Sequence, residues 1–263
     1  MRYLPHTQEE IAEMLTVTGQ HSLDALFAHI PEDLRYRGEI DIPGPFSEWE
    51  LTAHLDHLGR SMFTGSSRAV LIGAGSYHHH IPEIVRSLSG RSEFLTSYTP
   101  YQPEMAQGTL QGIFEFQTLT ARLLGTEVAN ASMYDGASAL AEALLMAIRI
   151  SKKKRTVAIS SAVHPHYREV VRTYLAPGPF EIVELPFGAD GRTELSILAD
   201  IDDLAGVALQ SPNFFGVVED HKAAAELVHD RGALYIASFS EPLAFGLYNN
   251  CLLYTSDAAD DRY

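Results

Sequence analysis

From Thr156 onward, short apolar runs alternate with amphipathic segments of helical period, and that alternation excludes most folds. Strands are predicted over Thr156 to Ser160, Phe180 to Leu185, Val207 to Gln210 and Ala233 to Ala237. Between them, helices are predicted over His166 to Leu175, Leu195 to Ile201 and Glu219 to Asp230. Strands joined through helices return to one sheet by right-handed crossovers, so the expected product is an α/β fold with a mainly parallel sheet flanked by helices. Upstream, an Ala- and Leu-rich helix from Gly136 to Ile150 has Asp135 at its N-cap. A helix from Leu110 to Leu124 sets Leu110, Ile113, Phe114, Gln117, Ala121 and Leu124 on one side before Gly125 stops it. Ala69-Val70-Leu71-Ile72 is a further predicted strand, entering the turn Gly73-Ala74-Gly75.

The segment ahead of this pattern is different in kind. Thr7 and Glu10 have capping-box spacing before a helix from about residue 8 to 18, Ser22 caps a short helix through Leu23, Leu26 and Phe27, and a third helix runs from Ser47 to Leu58. These helices carry too few apolar residues to fold alone, so residues 1–66 read as an N-terminal helical extension. The formal net charge of −15 argues against nucleic acid as a partner, since phosphate contacts need clustered Lys and Arg and the only basic run is Lys152 to Arg155. No apolar run approaches the roughly 20 residues that span a bilayer, and Met1 opens into a polar stretch, so the expectation is a cytoplasmic protein without a membrane partner. The single cysteine, Cys251, fits a reducing compartment. It opens a thirteen-residue end, 251–263, that reads like translated sequencing adapter and is expected to be a non-native tail.

Among candidate sites, Gly73-Ala74-Gly75 lacks the third glycine of a dinucleotide turn. His78-His79-His80 lacks further ligands at metal-binding spacing, so no metal is expected there. Trp49, Met133 and Met146 read as packing residues. The run Asn130, Ser132, Asp135, Gly136, Ala137 and Ser138 leads small residues and free backbone N–H groups into a helix start, an arrangement that suits a phosphate or simply a capped helix. Two prolines, Pro100 and Pro103, stiffen a loop that crowds Tyr98, Tyr101, Gln102, Glu104 and Gln107 together, which points to a site or an interface.

At these positions the sequence resembles a known family. Phe94 to Gly108 with Phe116-Gln117, Ala129 to Ala137, Gln210-Ser211-Pro212-Asn213-Phe214-Phe215-Gly216 with Glu219-Asp220, and the opening Arg2 to Thr7 are similar to the P-protein of the glycine cleavage system, in particular to subunit 1 of its split form. The resemblance covers nearly all of residues 1–250. It implies a fold type I pyridoxal phosphate transferase-like large domain, here residues 67–250 and incomplete, with the C-terminal small domain missing. It also implies a heterotetrameric enzyme that decarboxylates glycine and passes the aminomethyl group to lipoylated H-protein, with the pyridoxal phosphate held by glycine decarboxylase subunit 2. The lysine inventory agrees: Lys152, Lys153, Lys154 and Lys222 all sit in charged, solvated-looking surroundings. Where cofactor-binding relatives place an aspartate, this chain has Ser238-Phe239-Ser240-Glu241. The helix start at Gly136 would then be a vestigial phosphate cradle, and no catalytic residue is assigned to this chain. Two alternatives stay open on the sequence: an autonomous pyridoxal phosphate aminotransferase or decarboxylase with a lysine downstream, and a non-catalytic scaffold.

Overall fold

The structure is a computed structural model that describes residues 5–63, 65, 68–95, 99–131 and 133–246. Tyr98, Ser132, the Arg2-Tyr3-Leu4 part of the opening motif and the 251–263 tail lie outside the described residues. The chain divides into two compact units, Met1–Arg68 and Ala69–Tyr263.

In the first unit, α1 (Gln8–Val17) begins at Thr7 with the expected capping box: Thr7 Oγ1 accepts the Glu10 N–H at 3.3 Å, and the Glu10 carboxylate accepts the Thr7 N–H at 2.7 Å. The second predicted helix is only a 3₁₀ turn, Asp24–Phe27, because Pro31 follows too soon for a full turn to propagate. Asp24 and Glu32 instead bind Arg35 and Arg37, tying that turn to the next segment. Helix α2 (Glu48–Ser61) starts where Glu50 accepts the Ser47 N–H at 2.8 Å. Neither helix has a buried residue, and Trp49, expected to pack, is 77% exposed.

The second unit carries α3 (Glu83–Ser89), α4 (Ser92–Leu95), α5 (Gln107–Leu124) and α6 (Gly136–Ser151), and then β1 (Thr156–Ser160), α7 (Pro165–Leu175), β2 (Glu181–Leu185), β3 (Leu204–Gln210), α8 (His221–Asp230) and β4 (Leu234–Ser238). The four strands are parallel in the order β2-β1-β3-β4, as the alternation requires. Every residue of β1 and β3 is buried, so helices must cover both faces. On one face Leu140, Leu144 and Ile148 of α6 and Val171 and Leu175 of α7 pack on Val157 and Ile159. On the other, Ala224, Ala225 and Val228 of α8 pack on Val207 and Leu209 together with Leu198 and Ile201.

Four expectations are corrected. Residues 69–72 form no strand: Leu71 is 94% and Ile72 81% exposed, and with no neighbouring strand among the described residues their backbone groups have nothing to pair with. Leu195–Asp200 is 3₁₀ rather than α-helical. Met133 and Met146 are half exposed, and Lys154 is half-buried and donates to the carbonyls of Arg231 and Gly232 at 3.2 and 2.7 Å.

Glycine at 206 sets how closely α6 approaches the sheet. A Cβ there would lie 2.8 Å from the Ala147 Cβ, and both positions are in the packed interior. Gly206→Val is expected to lower the unfolding free energy by about 2 kcal/mol or more through overpacking. Denaturant titration checks this, and an unchanged midpoint would mean that α6 can retreat freely.

Candidate functional site

In a parallel sheet the strands aim their last residues at one end, and ligand sites form where those ends open. Here the ends of β1 and β3 and the segments that follow them are fixed by a buried polar network. The Glu219 carboxylate accepts from the Thr193 N–H at 3.1 Å, the Thr193 hydroxyl at 2.9 Å and Asn213 Nδ2 at 3.1 Å. Because the Thr193 hydrogen goes to the carboxylate, the Ser160 hydroxyl must donate to Thr193 Oγ1, at 2.6 Å. Asn213 Oδ1 accepts from the N–H groups of Phe215 and Val217, both at 3.1 Å, and Ser211 Oγ accepts the Glu219 N–H at 3.1 Å. Glu219, Asn213, Ser160 and Ser211 are all buried, so each donor counts: none can turn to water instead.

That network positions the Ser211–Gly216 turn, and the turn leads to His164. The Gln210 Oε1 accepts the His164 N–H at 2.9 Å, and the Phe214 ring meets the imidazole edge-on at 5.2 Å. His164 Nδ1 accepts the His166 N–H at 3.2 Å, which caps α7, and Tyr167 packs on the ring at 5.2 Å. Desolvation, and then the neighbouring His166, push the His164 imidazole below its ordinary value, while its hydrogen bond to the Ala74 backbone opposes them. With Nδ1 accepting, the ring is neutral and carries its proton on Nε2.

Beside this cluster lies a cavity of about 240 Å³, lined by Gly136, Leu140, Tyr167, Ile236, Ser238 and Phe239 among others. Its lining has no charged side chain. The helix start expected to cradle a phosphate is already engaged: Asp135 Oδ1 accepts the Ser138 N–H at 2.7 Å and the Ser138 hydroxyl at 2.8 Å. Those bonds, the backbone contact first, hold the Asp135 carboxyl below the usual carboxylate range. The Tyr167 hydroxyl stands over Gly136, where a Cβ would come within 2.5 Å of it. Gly136 is exposed, Ala137 and Ser138 are buried, and Asn130 is exposed. These residues match pyridoxal phosphate poorly: the Asp135 carboxylate already takes the Ser138 amide, and the cavity at the end of β4 is lined by the Phe239 ring and by no acid. None of Lys152, Lys153, Lys154 or Lys222 lines the cavity.

The stiff loop lies elsewhere. Tyr101 and Gln102 line a separate groove of about 620 Å³ with Phe94, Pro100 and Met105, and the two cavities share no residue. Tyr101 is 79% exposed, Glu104 is exposed, and Gln107 is the first residue of α5. Gln102 O accepts from both Met105 and Ala106, which winds the loop into the helix. Residue-by-residue reading of the sequence missed His164, Tyr167 and Gln210. The signal that could have found Gln210 and His164 was their place at or shortly after the end of a predicted strand, and Tyr167 lies in the first turn of the helix that follows.

The buried network makes a quantitative prediction. Asn213→Ala removes a donor to Glu219 and leaves two backbone N–H groups unsatisfied, which should cost about 2–4 kcal/mol of stability. Thermal or denaturant unfolding measures it, and a loss below about 1 kcal/mol would contradict the assignment.

The family model described as glycine cleavage system P-protein matches residues 1–259. A relative from Desulfotalea psychrophila, described as glycine dehydrogenase (decarboxylating) subunit 1, is 63% identical over 94% of this chain and 55% of its own length. One from Geobacillus thermodenitrificans with the same description is 48% identical over the same shares. The chain therefore spans about half the length of the curated relatives it matches. Among solved structures, an inhibitor-bound glycine decarboxylase (P-protein) of the glycine cleavage system matches with a TM-score of 0.79 at 43% identity, over 98% of this chain and 57% of that one. Mouse CSAD, at 11% identity and a TM-score of 0.57 over 88% of this chain and 47% of that one, shares the fold.

Proposed function

Since the chain belongs to the glycine cleavage system P-protein family, we propose that it is the front part of the first subunit of a two-subunit glycine decarboxylase. In this reading residues 1–66 are a helical extension, residues 67–250 are part of a pyridoxal phosphate transferase-like large domain, and residues 251–263 are non-native. A cytoplasmic location goes with it; among the described residues no helix is long and apolar enough to cross a membrane.

The complex decarboxylates glycine and hands the aminomethyl group to lipoylated H-protein, with pyridoxal phosphate on the partner subunit, where it supplies the electron sink for the carbon that loses carbon dioxide. No residue of this chain is assigned a proton transfer in that step. The observation that carries the division of labour is Asp135: its carboxylate takes the Ser138 amide and hydroxyl in the first turn of α6, where an anion would otherwise compete. Asn130, Ser132, Asp135, Gly136, Ala137 and Ser138 are accordingly a vestigial cradle.

What the chain contributes is shape. Tyr101, Gln102, Glu104 and Gln107 form a stiff polar edge, and the exposed rings of Phe94 and Tyr101 with Met105 give it the aromatic and thioether character of an interface core. Set against a partner subunit, this edge would complete the partner's site.

Two experiments test the proposal. Tyr101→Ala in the two-subunit complex should weaken assembly or turnover about tenfold, the usual scale of an aromatic interface anchor; unchanged affinity together with unchanged kinetics would rule the loop out. Incubated alone with pyridoxal phosphate, the chain should develop no aldimine absorbance, and a stable visible band would overturn the assignment of the cofactor to the partner.

A further inference from the structure

Residues 73–80 run past the segments that follow β1 and β4, and residues 76–80 are exposed. Gly73, Ala74 and Gly75 all have left-handed backbone, at φ 66°, 55° and 80°, closed by a hydrogen bond from the Ser76 N–H to the Gly73 carbonyl at 3.1 Å. Ala74 is a strained choice there, because its Cβ crowds the carbonyl in that conformation. The three residues are half buried, whereas Leu71, Ile72 and residues 76–81 are exposed. At Gly75 a Cβ would stand 3.4 Å from Ser240 Oγ and 3.7 Å from His164 Cδ2. Further along, His79 Nε2 lies 3.2 Å from Glu241 Oε2.

The groups that receive these contacts are held without them. Gln210 and the His166 amide fix His164, as described above. Glu241 Oε1 accepts the Leu243 N–H at 2.9 Å, which anchors its carboxylate to the turn that follows β4. A fixed receptor facing a strained, sparsely bonded segment is the arrangement of a latch rather than of a core element. Beneath it are Ser240 and His164, the sequence neighbours of cavity-lining Phe239 and, three residues on, Tyr167.

We propose that residues 73–80 form a strap that opens and closes over the carboxyl ends of β1 and β4, latched at Ala74–Gly75 on His164 and Ser240 and at His79 on Glu241. Opening it releases the backbone strain at Ala74 and uncovers Ser240 while the sheet stays intact. The strap goes beyond the subunit assignment and does not depend on it, because its contacts are all within this chain.

A thiol placed under the strap reads its opening. In a Cys251→Ser background, Ser240→Cys leaves one thiol, and its reaction with a neutral disulfide reagent is followed by absorbance. His79→Ala, which removes the outer latch, should speed labelling by about two- to fivefold, the scale of an exposed ion pair. Ala74→Gly, which removes the strain of the closed turn, should slow it by roughly two- to fivefold. Opposite shifts with unchanged melting temperatures support the strap. Equal rates in all three proteins, or shifts in one direction that follow the melting temperature, overturn it. Hydrogen exchange of the unsubstituted chain gives an independent reading that needs no folded variant. Amides 74–80 should exchange well before those of β3, and exchange together with β3 would show that the segment leaves only by global unfolding.

Discussion

The fold depends on β3 having no solvent face. Seven consecutive residues, Leu204 to Gln210, are buried, and the neighbouring β1 is buried along its whole length. A strand of that kind cannot stop at a two-layer arrangement, because either bare face would leave its apolar side chains in water. Helices α6 and α7 on one side and α8 with the Leu195–Asp200 turn on the other are the response. Gly206 then determines how near α6 can come. Everything at the carboxyl ends of the strands inherits its position from this central pair, which is why a network of only five side chains can hold the site end in place.

That network also explains an otherwise costly feature. A carboxylate that is 6% exposed, as Glu219 is, would be expensive without compensation. Here it is met by directed donors from three separate segments: Thr193 before β3, Asn213 in the turn after β3, and through Thr193 the end of β1 at Ser160. The cost of burial becomes a tie between elements that share few apolar contacts at that end. The tie is what allows Phe214 to reach His164, and His164 to meet the Ala74 backbone.

The α/β layering was legible because period and capping are local properties. Thr7 and Asp135 cap helices where spacing places them, and all four strands of the sheet appear within a few residues of their expected bounds. The reading failed where a local pattern needs a distant partner. Ala69 to Ile72 has strand composition, but composition supplies no neighbour to pair with. Trp49 has a core side chain, but nothing in its own unit covers it. At the site the limits were similar. Asp135 was identified as a cap from its position, whereas the seat of Tyr167 over Gly136 joins residues thirty-one apart and has no sequence signature. The Tyr98–Gln107 loop stood out through its prolines, and its separation from the cavity at Gly136 could only come from coordinates.

One asymmetry follows from burial alone. Among the described residues none before Ala137 is buried, although α2 carries Leu51, Leu55 and Leu58 at helical spacing and α5 carries Phe114, Phe116, Leu119 and Leu123. Helices of this length gain little from propensity alone and rely on packing of an apolar face for stability. The stable body of the chain is therefore the layered sheet from Gly136 onward, and the first half is folded in outline but lacks a core of its own. The loop at Tyr101 belongs to that first half, and so do its exposed rings. Its stiffness has a physical consequence: Pro100 and Pro103 restrict the backbone in advance, so the loop has less entropy to lose wherever its surface is covered.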